Sequence, residues 1–404
     1  MHRISLLIAL TIACFVGTSQ AAEPTKIFRG EPRFIKEVPH GRLEQIGQGE
    51  DAINLLFIWG TPHEMGKAHG QILKEEIQGH FNLMLELMTQ KMKSKPDALD
   101  DVFNATKPHM PPYFLEEMAG LAEGAGLPLQ TVHRCEIIGE ASEWHCSLFG
   151  TCGTNATANG HTYQLRSLDY MVGANIQKHP TIVVYIPSQG HPFANIGWSG
   201  IIGSVTGISS AQLGISEIGD DYDAANDSFD GIPFMFMLRD ILQFDNHLQQ
   251  ALDRVKNAKR TSSLMYAVGD GKAAQVRGLQ TSRTIFNVFG PENLEPNLPT
   301  HPRLNNFVYW GMSWDVPKFD KPLHDELAAN AGKLTPEIVV GEILPKVRTG
   351  NLQATLYDLT DLKIWTANAK ADTESGPLNA YERQFVEIDL KKQFARGQEF
   401  AKRQ

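Results

Sequence analysis

The apolar pattern divides the chain near residue 145, with helical periodicity before it and short strand-like runs after it. Residues 54–59 form an apolar run of strand length. Thr61-Pro62-His63-Glu64 then has the form of a helix start: a hydroxyl residue, proline at the first position and an acid in the first turn. Met65, His69, Ile72, Leu73 and Ile77 repeat near a 3.6-residue period, which predicts one helix through them. More helix is predicted over 81–92, over 112–122 and over 131–141. In the second of these Glu116 and Glu117 face outward, and Gly124 and Gly126 end the element. Residues 22–50 are polar, carry Pro24, Pro32 and Pro39, and read as a loose lead-in.

Beyond residue 145, runs at 146–149, 161–168, 181–186, 193–198, 201–208 and 213–218 read as strands separated by glycine-containing turns. Asn159-Gly160 between two such runs signals a hairpin. Helices are predicted over 233–243 and 248–258, and strands over 264–268, 274–279 and 284–288. A proline-rich loop covers 291–302. A helix over 336–345 leads to a final strand pair, 353–357 and 362–367. Strands cluster instead of alternating with helices, so the order predicts α+β layers and not a doubly wound sheet.

Composition narrows the function classes. The 404 residues are 42% hydrophobic and 21% charged, enough for a sizeable core. A formal net charge of -9 with no basic cluster argues against nucleic acid as a partner. Arg3, the apolar run 6–16 and Ser19-Gln20-Ala21 form a cleavable leader over 1–21, so a secreted or periplasmic protein is expected. Cys14 after Thr11-Ile12-Ala13 offers lipid attachment as a second reading. No membrane span is expected, because no run approaches 18 apolar residues. Removing the leader leaves Cys135, Cys146 and Cys152, an odd number that implies at least one free thiol.

The sequence implies no metal and no cofactor. His63, Glu64 and His69 lack the i, i+4 histidine spacing of a zinc helix, and Asp220, Asp221 and Asp223 lack the glycine of a calcium loop. The chemistry concentrates in His145-Cys146-Ser147-Leu148-Phe149, then Gly153, Thr157, Asn159-Gly160 and Arg166-Ser167-Leu168-Asp169. A thiol at a strand start, with a return strand carrying Arg166 and Asp169, brings a cation and a carboxylate beside the sulfur. The guanidinium favours the thiolate and lowers its pKa. Arg166 and Leu168 share one face, and Asp169 points to the other face or the strand end. The plainer readings are a core cysteine at 146 and an ordinary Arg166–Asp169 ion pair. Cys152 is the rival nucleophile. Trp198, Phe234, Phe236 and Trp310 are either core or the lining of an apolar acyl pocket.

This stretch resembles the acyl-coenzyme A:6-aminopenicillanate acyltransferase-like family of N-terminal-nucleophile cysteine hydrolases, and more distantly the bile-salt hydrolases and acid-ceramidase-like amidases. Cys146, Ser147, Phe149, Gly153, Thr157, Gly160, Arg166 and Asp169 occupy the places of the family pattern. Further segments match in order: 60–70, 115–124, Thr206-Gly207-Ile208, 213–217, Gly231-Ile232-Pro233, Arg260-Thr261 and 351–357. The resemblance implies a four-layer αββα fold and cleavage between His145 and Cys146. The products would be a helical chain over 22–145 and a catalytic chain over 146–404. It assigns Arg166 to tuning the thiolate and Asp169 to binding the new α-amine. The implied reaction is amide C–N cleavage or acyl transfer, on a small acyl-amide or a peptide, through an acyl-thioester on Cys146. Relatives carry asparagines near the places of Ser209 and Met265, which leaves backbone N–H groups near Gly207 and Ser209 as oxyanion candidates. Two alternatives stand beside this reading: a catalytically inactive member that binds or builds, and a lipid-ester hydrolase on the same fold.

Overall fold

The computed structural model describes residues 26–92, 97–141, 145–219, 222–291, 303–311 and 320–403. The leader at 1–21, most of the proline-rich loop, and Asp220 and Asp221 lie outside the described residues. Two sheets carry the fold. The first has seven strands in the order β1 (Ile27–Phe28), β17 (Phe385–Asp389), β16 (Lys363–Asn368), β15 (Gln353–Asp358), β6 (Tyr163–Asp169), β5 (His145–Thr151) and β14 (Phe307–Gly311). The second has ten: β13 (Phe286–Phe289), β12 (Gln275–Thr281), β11 (Leu264–Asp270), β10 (Leu213–Gly219), β9 (Thr206–Ser209), β8 (Phe193–Trp198), β7 (Pro180–Pro187), β4 (Ile53–Gly60), β3 (Gly41–Ile46) and β2 (Arg33–Val38).

Side-chain alternation stacks the sheets face to face. On β6, Tyr163 and Leu165 point to an outer cluster while Leu168 points to the gap between the sheets. That gap is filled from both sides. Leu55, Phe57, Ile182 and Val184 meet Tyr357, Ile364 and Ile388 at one end. Cys146, Leu148 and Leu168 meet Ile218, Met265 and Ala267 at the other. Helices α1 (Pro62–Ile72), α2 (Lys74–Met92), α3 (Ala98–Thr106), α4 (Pro112–Ala125), α5 (Leu129–Glu136), α6 (Ile138–Ala141), α7 (Phe234–Phe244) and α8 (Leu248–Asn257) form the layer over the second sheet. Helices α9 (Asp320–Ala329), α10 (Pro336–Ile338) and α11 (Leu344–Val347), the last two joined by a π-turn, cover the first sheet. The molecule is therefore an α+β protein of four layers, αββα. Helix α12 (Leu390–Lys402) closes one end, with Phe394 in the inter-sheet core.

Several elements differ from the expectation. The lead-in contains β1, β2 and β3, so the stretch before residue 145 supplies strands to both sheets as well as helices. Edge strand β2 is mostly exposed, which is why its sequence reads as polar. The helix predicted through Ile77 breaks at Leu73, whose backbone leaves helical geometry. The Asn159-Gly160 signal sits in an eleven-residue connection, not a tight hairpin: β5 and β6 pair only from Thr151 opposite Tyr163 onward. Strands β14 and β17 and helices α3, α9 and α12 have no counterpart in the predicted elements.

Glu117 does not face outward. It is fully buried, and its carboxylate accepts from Arg239 of α7 at 2.6 Å. The crossing of α1 and α4 turns this face inward. A Cβ at Gly66 would lie 2.1 Å from the Glu117 carbonyl oxygen, and one at Gly120 would lie 2.1 Å from that of His63. Only glycine lets the two backbones approach this closely. Among the described residues, no helix is long and apolar enough to cross a membrane.

Candidate active site

The site is set by the register of β5 against β6. Cys146 lies opposite Leu168, His145 opposite Asp169 and Leu148 opposite Arg166. The Cys146 side chain is completely buried in the inter-sheet cluster. Burial pushes its thiol up to about 12. Arg166 and a hydrogen bond from the Asp169 backbone N–H pull it down, while Glu217 and the Asp169 carboxylate push it further up. The guanidinium therefore acts in the expected direction, but desolvation outweighs it. In the intact chain the thiol is protonated at neutral pH.

Arg166 is itself almost wholly buried and crosses to the second sheet. Its Nε donates to the Glu217 carbonyl at 3.0 Å and its Nη2 to the Glu217 carboxylate at 3.2 Å. Nη1 is buried with no hydrogen-bond partner. The partner of Arg166 is thus Glu217 and not Asp169, which answers the plain ion-pair reading. Asp169 is held separately. Gly350 N and Asn351 N each donate to Oδ1 at 2.9 Å, and the Thr349 hydroxyl donates to Oδ2 at 2.7 Å. Ser147 Oγ lies 2.7 Å from that same hydroxyl. Burial pushes the Asp169 carboxyl up, and these bonds and Arg166 pull it back. Sequence reading missed Glu217, Thr349 and the Gly350-Asn351 cradle, because these lie from 51 to 182 positions away from the residues they hold.

Gly207 and Ser209 are not brought to the sulfur. A Cβ on Gly207 would meet Leu242 of α7, and Ser209 shares that face two residues on. Strand β9 is paired on both sides, and the Gly207 backbone N–H also meets the Tyr357 hydroxyl. Met265 does lie in the cluster around Cys146, offering a thioether where the related pattern has an amide. Cys152 is half-buried in the connection after β5, with its thiol raised by burial.

Beside the site is an apolar cavity. Its roof carries Met84, Leu87 and Met88 of α2, and its floor carries Arg166, Leu168 and Trp198. Trp198 and Phe234 thus line an apolar cavity. Phe236 instead stacks on Phe114 at 4.3 Å in the helical layer, and Trp310 belongs to the cluster around Cys146. His161, Asp358 and Asp361 also converge, but the His161 Nδ1–Asp358 hydrogen bond at 2.7 Å and the turn bonds to Asp358 account for them.

The four-layer sandwich thus holds a buried cysteine at a strand start, with an arginine beside it and a carboxylate opposite the residue before it. The chain belongs to the same family as protein dcd1A of Dictyostelium discoideum, which is 31% identical over 433 aligned positions covering 95% of each chain. Protein dcd1B of the same organism is 29% identical, over 91% of this chain and 80% of its own. An uncharacterized protein of Archaeoglobus fulgidus is 24% identical over 82% of this chain and 57% of its own. No protein-family model matches the sequence. Among solved structures, a Caenorhabditis elegans N-acylethanolamine-hydrolyzing acid amidase ortholog superposes with a TM-score of 0.40 at 16% identity, covering 53% of this chain and 93% of that one. A mutant of the conjugated bile acid hydrolase of Clostridium perfringens superposes with a TM-score of 0.41 at 12% identity, covering 61% and 93%.

Proposed function

We propose that this protein is an exported, self-processing cysteine hydrolase of carbon–nitrogen bonds, with Cys146 as nucleophile in both processing and turnover. The observation that supports this most is the β5–β6 register, with the bond to be cut opposite Asp169, and Arg166 on the next inward position after Cys146's partner. In processing, the Cys146 sulfur attacks the His145 carbonyl carbon. The His145–Cys146 C–N bond breaks as the nitrogen takes up the thiol proton, and a thioester forms. Water hydrolyses that thioester, leaving a carboxylate on His145 and a free amine on Cys146.

The new α-amine lies next to Asp169, and α-amines titrate near neutrality. It takes the thiol proton, and the sulfur attacks a substrate amide. The amine product leaves with that proton. Water, or a second amine in acyl transfer, then releases the acyl group from the sulfur. Arg166 favours the thiolate form of Cys146. The two pieces, 22–145 and 146–404, stay together because β2, β3 and β4 are built into the sheet that β7 continues.

A mass spectrum of purified protein tests this. A fragment beginning at Cys146 that copurifies with its partner until denatured is expected, and Cys146→Ala is expected to abolish cleavage. Cleavage that persists in Cys146→Ala removes the nucleophile. A second reading, a non-catalytic member that only binds, is favoured by one observation: Met265 beside the sulfur, with Gly207 and Ser209 turned away. An intact chain that also resists acylating thiol probes is the outcome it predicts.

A further inference from the structure

The lining of the cavity beside the site is mostly apolar, and two of its polar side chains stand out. One is Arg166, whose Nη1 is buried without a partner. The other is His80, on the roof. Its Nδ1 lies 2.9 Å from the Ser199 carbonyl oxygen, which can only accept, so Nδ1 carries the proton. Burial holds this imidazole neutral, with a pKa lowered to about 4. A neutral ring with a proton on Nδ1 has a bare lone pair on Nε2. With Nδ1 committed, Nε2 is the polar atom that His80 offers the cavity.

Trp198 Nε1, also in the lining and buried without a partner, can only donate, and the acceptors Asn195 and Glu217 are engaged. The Asn195 amide donates to the Gly203 carbonyl at 2.9 Å and accepts from Ser204 at 3.0 Å, and Glu217 is held by Arg166. His80, Met84, Leu87 and Met88 fall at i, i+4, i+7 and i+8 of α2, so one helix face presents an acceptor followed by an apolar stripe. A bare alkyl chain in this cavity would leave the His80 lone pair without a donor. A chain bearing a donor at that level would satisfy it, and the difference discriminates between the two.

We propose that the cavity takes an aliphatic acyl group carrying a hydroxyl, with the carbonyl or carboxylate end toward Arg166 and the hydroxyl donating to His80 Nε2. His80 is then a specificity-determining residue for the acyl group. This rests on the acyl-transfer reading for its place in turnover, but the binding preference stands or falls by itself.

The test uses the full-length Cys146→Ala protein, which cannot process or turn over. Binding of decanoic acid is compared by calorimetry with that of hydroxydecanoic acids differing in hydroxyl position. At least one isomer is expected to bind about 10-fold more tightly than decanoic acid, the effect of one neutral hydrogen bond. His80→Asn places an amide N–H where Nδ1 stood, keeps the bond to Ser199 and deletes the Nε2 acceptor. In that background the preference is expected to vanish while decanoic acid binds within about 3-fold of its former affinity. The proposal is overturned if no isomer exceeds decanoic acid, if none of the acids binds, or if the preference survives in His80→Asn. The first two outcomes need no His80 variant, so poor folding of that variant does not protect the idea. Failure of the hydrolase reading would show instead as an uncut wild-type chain with the preference intact.

Discussion

Arg166 of the first sheet holds Glu217 of the second through both its backbone carbonyl and its carboxylate, at 3.0 and 3.2 Å. Each charge acts on the Cys146 sulfur in the opposite sense, the guanidinium lowering its pKa and the carboxylate raising it. Glu217→Gln is therefore expected to lower the apparent pKa of Cys146, and Arg166→Gln to raise it. Alkylation of residue 146 followed by mass spectrometry across pH, in a chain with Cys135 and Cys152 replaced by alanine, reads both. Arg166→Gln also leaves Glu217 buried alone, at a cost of about 3–5 kcal/mol of stability. Shifts of the same sign in both variants would contradict this electrostatic account.

Glu117 and Arg239 make the second buried pair, at 2.6 Å, with the guanidinium carbon also 4.4 Å from the Tyr185 ring centre. Burial pushes the Glu117 carboxyl up, and Arg239 pulls it down. Either single alanine variant strands a buried charge and is expected to cost about 3–5 kcal/mol in denaturant unfolding. Removing both partners is expected to cost clearly less than the sum of the two. Strict additivity would mean that the pair is not coupled.

Gly120→Ala is expected to prevent stable folding, because the added carbon meets the backbone of α1 at His63. Gly79→Ala on α2 meets nothing within 4 Å and is expected to be neutral or to stabilise by up to about 1 kcal/mol. Soluble expression and thermal melts of the two variants side by side provide the check. Equal melting temperatures would disprove the tight crossing.

Stability should fall as pH rises from 6.5 to 8. Burial raises Glu136 to about 8 and Glu140 to about 7, from 4.5. Their contribution is complete below 4.5 and is lost as pH climbs through 7 and 8, since the unfolded carboxyls ionise first. His69 and His80, held by burial at about 3 and about 4 against 6.5, work the other way. Their contribution is present above 6.5 and is lost as pH falls below it. The two slopes oppose each other between 4.5 and 6.5, and only the acidic groups act above. Glu136→Gln is expected to flatten the alkaline decline in a series of thermal melts. A melting temperature that rises between pH 6.5 and 8 would refute the assignment.

Much of the β5–β6 strand pair was legible because its information is local. Alternation places Arg166 and Leu168 on one face, and the predicted runs 146–149 and 161–168 fall largely on β5 and β6, the first stopping two residues short and the second starting two residues early. Edge strand β2 was illegible because Arg33, Lys36 and Glu37 face water there and erase the strand signal. The glycines at 66, 70, 120 and 124 did carry a readable signal, a four-residue spacing on two helices, which predicts a close crossing once it is noticed.

By itself the sequence determined where many of the strands and helices lie, the α+β class, and which cysteine stands beside an arginine and an aspartate, because these depend on neighbours within a few residues. Only the tertiary structure decided that Arg166 pairs with Glu217, that Thr349, Gly350 and Asn351 cradle Asp169, that Glu117 is buried, and that Gly207 and Ser209 face away from the sulfur. Those facts depend on which strands sit side by side and which faces meet, and residues far apart in the chain become partners only when the layers close on one another.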